Sequence, residues 1–171
     1  MGLEISLVHV MNQLTSNHLV ERVRRLFGGE PCRLQVAALP WRKTKDGIKV
    51  MLVTSRDTGR WVLPKGWPEF GEQFCQAAAR EAGEEAGLKG AISTHEAGRY
   101  YYSKGLADGS TTRCEVLVYA LEVDDVADKW KEKGQRRRKW VTPSKAAEMV
   151  AEADLAKMIL AFAGKPRSAP A

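Results

Sequence analysis

Disulfide chemistry has little to work with in this sequence, which holds three cysteines, Cys32, Cys75 and Cys114, scattered and never at C-x-x-C spacing. That pattern argues against a disulfide framework and against a zinc site, and it predicts buried thiols. Long apolar runs are missing too. No stretch approaches the roughly 18 consecutive apolar residues of a membrane span, so no membrane partner is expected. The opening MGLEISLVHVMNQL carries Glu4 and no basic n-region, which makes a poor secretory signal, and Gly2 lacks the hydroxyl residue of a myristoylation motif. The expected compartment is therefore the cytoplasm. Internal repeats, low-complexity tracts and linkers between domains are also absent. The three histidines, His9, His18 and His95, stand isolated and suggest no catalytic arrangement.

What is present fits one domain with room for a proper core in 171 residues. A formal charge of +6 favours a polyanionic partner. It does not choose among nucleic acid, lipid headgroups and small polyphosphates. Residues 1–30 read as an N-terminal extension in which Asn17 caps a short helix over 18–27, with Leu19, Val23 and Leu26 on one face and Gly28-Gly29 as its stop. Residues 33–41 and 48–55 are β-branched and apolar around the turn residues RKTKDG, which predicts a hairpin. Short strand 61–63, a strand pair over 91–103 and 111–123, a charged connection over 124–135 and a last strand over 136–141 follow. Pro143 then starts one or two helices ending near Ala163, and 164–171 is expected to be a disordered tail. This order of elements predicts an α+β class, a layered sandwich rather than a doubly wound sheet.

One stretch conflicts with simple patterning. In "GWPEFGEQFCQAAAREAGEEAGL", residues 66–88, helical geometry places Phe74, Ala77 and Ala78 on one stripe, which Glu81, Glu84, Glu85 and Leu88 continue. Three carboxylates on a packed face lose hydration and repel one another unless something cationic sits among them. Oxygen ligands at this spacing suit Mg²⁺ or Mn²⁺ rather than zinc. The spacing equally suits the solvated acidic end of a surface helix, with Arg80 and Lys89 as partners.

The same stretch resembles the Nudix box in full. Gly66, Glu72, Arg80, Glu81, Ala82, Glu84, Glu85, Gly87 and Leu88 fill every constrained place of a 23-residue motif. The resemblance implies a mixed β-sheet between helices, an α/β/α sandwich over 31–163. It also implies hydrolysis of a diphosphate linked to another group. Under it Glu81, Glu84 and Glu85 bind the divalent ions, Gly66 contributes a backbone carbonyl, and Arg80 and Glu72 hold loop and helix in register. With Gly87 these form the motif's frame, and Arg80 stands with Glu81 and Glu85 in the catalytic set. Glu85 or Glu81 could act as base, and Glu115, which interrupts the apolar strand TTRCEVLVYAL, is a further acid that the strand pattern also allows to face the surface.

The flanks "VTSRDTGRWVLPKGWPEFGE" and "GQRRRKWVTPSKAAEMV" resemble the diphosphoinositol polyphosphate phosphohydrolase branch of the family. That resemblance implies a polyphosphorylated small-molecule substrate, diadenosine polyphosphates or diphosphoinositol polyphosphates, with Arg56, Lys65, Arg137 and Arg138 facing its phosphates. Alternation along an extended strand separates Arg136 and Arg138 from Arg137 and Lys139, so all four cannot serve one site. Charges blunting an edge strand explain the run equally well. Lys65-Gly66-Trp67-Pro68 departs from the branch, which has a more glycine-rich turn there. The alternatives are removal of pyrophosphate from RNA 5′ ends and a non-catalytic domain that binds a phosphorylated ligand. Against the first, no aromatic-basic tract for single strands is present, which makes nucleic acid the lesser partner. Against the second, the box is whole. The resemblance also lowers an ADP-ribose specificity, since a proline some fifteen residues after the box marks the ADP-ribose pyrophosphatases of the family and none lies here between Pro68 and Pro143. Tyr100, Tyr101 and Tyr102 cannot all point one way. Oligomeric state is not legible.

Overall fold

The computed structural model describes residues 20–162 apart from 22, 25 and 107. Asn17, His18 and Leu19 of the expected first helix, the remainder of 1–19 and the tail 164–171 lie outside the described residues. The described residues within 20–26 are helical, and Val20, Val23 and Leu26 are exposed there.

The strands are β1 (Arg33–Thr44), β2 (Gly47–Thr54), β3 (Trp61–Val62), β4 (Lys65–Gly66), β5 (Leu88–Gly105), β6 (Thr111–Val126) and β7 (Arg138–Val141). The helices are α1 (Phe74–Ala86), α2 (Pro143–Met149) and α3 (Ala153–Phe162). They build one seven-stranded sheet ordered β3-β2-β1-β6-β5, with β4 beside β1 and β7 beside β2. Strands β1 and β6 run parallel, and the other pairs are antiparallel. The expected α+β class with a mixed sheet is what the chain adopts.

Burial of both faces explains why the central strands read as continuous apolar runs. Along β1, Val36 and Ala38 point toward α1, while Ala37, Leu39 and Trp41 point toward α2 and α3. Strand β6 repeats this, with Leu117, Tyr119 and Leu121 on the α1 side and Val116, Val118 and Ala120 on the other. Helix α1 meets the sheet through Cys75, Ala77, Ala78, Ala82 and Ala86, all buried. Small side chains bring its axis close to β1, and the glutamates of its last turns come with it.

Two expectations about this helix change. Phe74 is 40% exposed rather than packed, because the buried stripe is rotated toward Cys75 and Ala82. Leu88 does not continue the helix. Gly87 closes it in the left-handed conformation at φ 66, donating its N–H back to Ala82 and Gly83, and Leu88 opens β5. Strand β4 was not foreseen, since two residues carry no periodicity. Strands β5 and β6 run beyond the expected 91–103 and 111–123, and β7 begins at Arg138 rather than at residue 136.

Gly83 sits inside α1, and a Cβ there would meet only the Leu88 carbonyl at an ordinary 3.7 Å. Helical glycine costs about 1 kcal/mol relative to alanine. Gly83→Ala is therefore expected to stabilise the fold by about 0.5–1 kcal/mol, seen as a higher urea midpoint at unchanged m-value.

Candidate active site

The last turns of α1, strand β4 and the connection between β6 and β7 enclose a cleft of about 390 Å³. Glu81 and Glu85 line it together with Lys65, Gly66 and Trp67. A Cβ on Gly66 would fall inside the Glu81 carboxylate, so glycine here leaves the room in which that carboxylate sits against β4.

Arg80 joins loop to helix. Its Nε and Nη2 donate to the two oxygens of Glu72 at 3.0 and 3.1 Å, its Nη1 to Glu81 at 2.7 Å, and its Nη2 also to the Trp67 carbonyl at 3.1 Å. The Glu69 N–H donates to Glu72 as well, and these partners hold the Glu72 carboxyl below its usual range. Every nitrogen of the Arg80 guanidinium is engaged by protein, so its place is that of a brace between the loop and Glu81.

Glu85 is the most enclosed of the three acids. The Lys65 backbone N–H donates to it at 3.1 Å, and the buried guanidinium of Arg136 pairs with its other oxygen. Arg136 also donates to Glu132 at 2.5 Å and to the Thr54 carbonyl at 3.0 Å. Burial raises the Glu81 carboxyl against the opposing Arg80 charge. It lowers the Lys65 ammonium, against the attraction of Glu85. Glu84 is turned away from the cleft, 2.7 Å from Lys131.

The connection over 127–137 caps the helix end that carries these acids. The Glu84 carbonyl accepts from the Glu132 N–H, that of Glu85 from Trp130 Nε1, that of Ala86 from Arg138, and that of Gly87 from the Ala127 N–H. The four carbonyls that a helix leaves open at its C-terminus are thus all satisfied.

The predicted phosphate-facing residues divide. Arg56, 3.4 Å from Glu132, and Lys65 line the cleft. Arg137 does not, since its guanidinium lies 5.6 Å over Trp61 and its N–H serves Thr54. Nor does Arg138, which stacks 3.9 Å over Trp130 and donates to the Ala86 and Ala127 carbonyls. The alternation argument holds, with Arg136 and Arg138 both directed to the α1 side, but Arg136 is the residue that reaches the cleft. Glu115 is buried away from it, accepting from Arg99 at 2.8 Å and Tyr101 at 2.9 Å. An apolar strand tolerates this acid because two donors wait across β5. Sequence reasoning missed Glu132 and Glu152, which line the cleft from irregular segments with no periodic signal. Tyr102 also lines it, while Tyr100 packs in the core.

Carboxylates with a backbone carbonyl nearby, and no sulfur or imidazole beside them, form a donor set for a hard divalent cation. Among the described residues no three acids converge to ion-binding distance, and Arg80, Lys131 and Arg136 each pair with one of the three glutamates. The donor chemistry fits a hard divalent cation at Glu81, Glu85 and Gly66, with Glu84 beside Glu85 but paired with Lys131.

The sequence model of the NUDIX domain matches residues 33–162. The chain belongs to the Nudix family. Over 128 residues it is 34% identical to Nudix hydrolase 16, mitochondrial, of Arabidopsis thaliana, a match covering 68% of this chain and 71% of that protein. Diphosphoinositol polyphosphate phosphohydrolase 2 of Rattus norvegicus is 29% identical over 118 residues, covering 68% and 62% of the two chains. Another Arabidopsis relative, Nudix hydrolase 12, mitochondrial, is matched over 52% of its length, so the chain spans about half to seven-tenths of these relatives. Among solved structures, the Caenorhabditis elegans Ap4A hydrolase superposes with a TM-score of 0.57 at 23% identity, over 78% of this chain and 98% of that one, a likeness of fold. Among the described residues no helix is long and apolar enough to cross a membrane.

Two outcomes follow from this Nudix site. Gly66→Ala displaces the Glu81 carboxylate from its place beside β4 and is expected to weaken Mn²⁺ binding by calorimetry while costing at most about 1 kcal/mol in urea unfolding, since only the flexible end of that side chain has to move. Burial pushes the Glu85 carboxyl up to about 7 from an ordinary 4.5, against the opposing pull of Arg136. The folded chain therefore holds this proton more tightly than the unfolded one. The stability it contributes is complete below pH 4.5 and lost as pH rises to about 7. In chelator, the Tm of the wild type minus that of Glu85→Gln should fall across this window, and a flat difference contradicts the assignment.

Proposed function

We propose that this chain is a metal-dependent Nudix pyrophosphohydrolase that cleaves diphosphate linkages in highly phosphorylated small molecules, dinucleoside polyphosphates or diphosphoinositol polyphosphates. The observation that carries the reading is one cleft that gathers Glu81, Glu85 and Gly66 together with five cations, Arg56, Arg60, Lys65, Lys104 and Arg136. A divalent ion held by Glu81, Glu85 and the Gly66 carbonyl would lower the pKa of a water and neutralise phosphate oxygens.

The chain's own residues do the remaining work. Arg80 and Glu72 hold Glu81 in register with β4, and the cap over 127–138 keeps the last turn of α1 from fraying. Glu85, or Glu81 beside it, takes a proton from the attacking water, since burial has raised the proton affinity of both. Water adds to one phosphorus, the bridging P–O bond breaks, and the leaving phosphate departs on that oxygen. The cations of the cleft hold the phosphates that are not reacting.

The test pairs two variants with a substrate panel. Glu81→Gln and Glu85→Gln are each expected to lower kcat/KM in Mg²⁺ by at least about 100-fold. Unchanged phosphate release rejects the metal assignment. Across dinucleoside polyphosphates, diphosphoinositol polyphosphates, triphosphorylated RNA and nucleoside diphosphate sugars, the first two should give the highest kcat/KM. A higher value for RNA or sugar nucleotides rejects the substrate class.

A further inference from the structure

Each glutamate near the end of α1 meets a cation of the chain itself, and the three pairs differ in burial. Glu81 lies 2.7 Å from Arg80, and Glu84 lies 2.7 Å from Lys131, whose side chain is 67% exposed. The side chains of Glu85 and Arg136 are each 7% exposed, so water screens this pair least. Both oxygens of the Glu85 carboxylate are engaged, Oε1 by the Arg136 Nη2 and Oε2 by the Lys65 N–H.

Arg136 is held from three directions. Its Nε donates to Glu132 at 2.5 Å, its Nη1 to the Thr54 carbonyl at 3.0 Å, and its Nη2 to Glu85. Two of these anchors lie outside α1, one on the connection over 127–137 and one at the end of β2. The guanidinium can release Glu85 and keep both, because its donors point in fixed, separate directions. The same Glu85 carboxylate belongs to the donor set that fits a hard divalent ion, together with Glu81 and the Gly66 carbonyl. Two cations therefore claim one carboxylate, and side by side in a cleft of low dielectric they repel each other.

We propose that Arg136 is a resident counter-cation of Glu85 that competes with the divalent ion for that carboxylate, and so acts as a positioning residue that sets how tightly the ion is held. Entry of the ion exchanges one cation for another. The guanidinium gives up its Nη2 contact to Glu85 and stays tied to Glu132 and Thr54, beside the cleft that Arg136 lines. The pair keeps a buried acid satisfied while the chain folds, and it weakens the hold on the ion afterwards. This deepens the proposed function and rests on reading Glu81, Glu85 and Gly66 as the metal site.

Mn²⁺ calorimetry on the full chain, stripped of metal and dialysed free of chelator, tests the competition. Arg136→Gln should bind Mn²⁺ about tenfold more tightly than wild type. Arg136→Lys keeps the charge without the fork, and should bind about threefold more tightly. Two controls remove cations outside the buried pair. Lys131→Ala, at an exposed pair that water screens, and Arg60→Gln, which faces Glu152, should each stay within about twofold of wild type. Thermal unfolding gives an independent readout. In chelator Arg136→Gln should melt below wild type, because Glu85 and Glu132 lose their partner, and saturating Mn²⁺ should raise its Tm by more than it raises that of the wild type. Unchanged or weaker Mn²⁺ binding by Arg136→Gln overturns the competition. So does Arg136→Lys matching wild type, or the two controls tightening as much as Arg136→Gln, since either result is what net charge alone produces. Should Arg136→Gln not fold, Arg136→Lys decides by the same criterion. Glu85→Gln separates the two readings. If it leaves Mn²⁺ binding unchanged, the metal assignment fails and takes the competition with it. If it weakens binding and the Arg136 variants do not tighten it, the competition fails alone. If the variants behave as expected and no polyphosphate is hydrolysed in Mg²⁺, the hydrolase reading fails and the competition stands.

Discussion

The pairing of Glu85 with Arg136 is the constraint on which the cleft is built. A carboxylate carried into the packed face of a helix loses most of its hydration, and an unpaired buried charge would cost several kcal/mol. Arg136 answers it from the approach to β7 and is itself answered by Glu132 and the Thr54 carbonyl. One guanidinium thus ties α1, the end of β2 and the approach to β7 into a single unit. The Lys65 N–H adds β4 to that unit through the other oxygen of Glu85.

Close packing makes this pairing reachable. Ala77, Ala78, Ala82 and Ala86 let α1 lie against β1, and Gly66 lets β4 run against Glu81 without a side chain between them. The connection over 127–137 then serves twice. Its backbone and Trp130 cap the helix end, and Glu132 from the same segment faces the cleft. The neighbouring cations differ accordingly. Arg80, Arg136 and Arg138 are engaged by protein oxygens, while Arg33 and Lys104 lie over the Trp67 ring.

Several of these features were legible in the sequence. The hairpin of β1 and β2, the helix carrying the acids and the long β5–β6 pair all announce themselves through periodicity and turn residues. The need for a cation among the three acids was also readable, because it follows from charge and burial alone. Which cation answers it was not. In the folded chain the charges beside Glu81, Glu84 and Glu85 are Arg80, Lys131 and Arg136, and two of these come from a segment more than forty residues downstream. The run of basic residues before β7 illustrates the limit. Alternation correctly sorted it into two faces, yet only the path of the connection decided that Arg136 enters the cleft while Arg138 caps a helix.

What the sequence determined by itself is the local and the periodic: an α+β order of elements, one helix with acids on its packed side, and a 23-residue motif that places the chain in the Nudix family. These are properties of neighbours along the chain, and a single sequence displays them directly. Tertiary structure alone decided which distant charge meets which. Glu115 is satisfied by Arg99 and Tyr101 away from the cleft, Glu132 and Glu152 arrive at it from irregular segments, and Trp67 gathers Arg33 and Lys104 from strands far apart in sequence. Strand order and register set these contacts, and neither is a property of any short stretch of sequence.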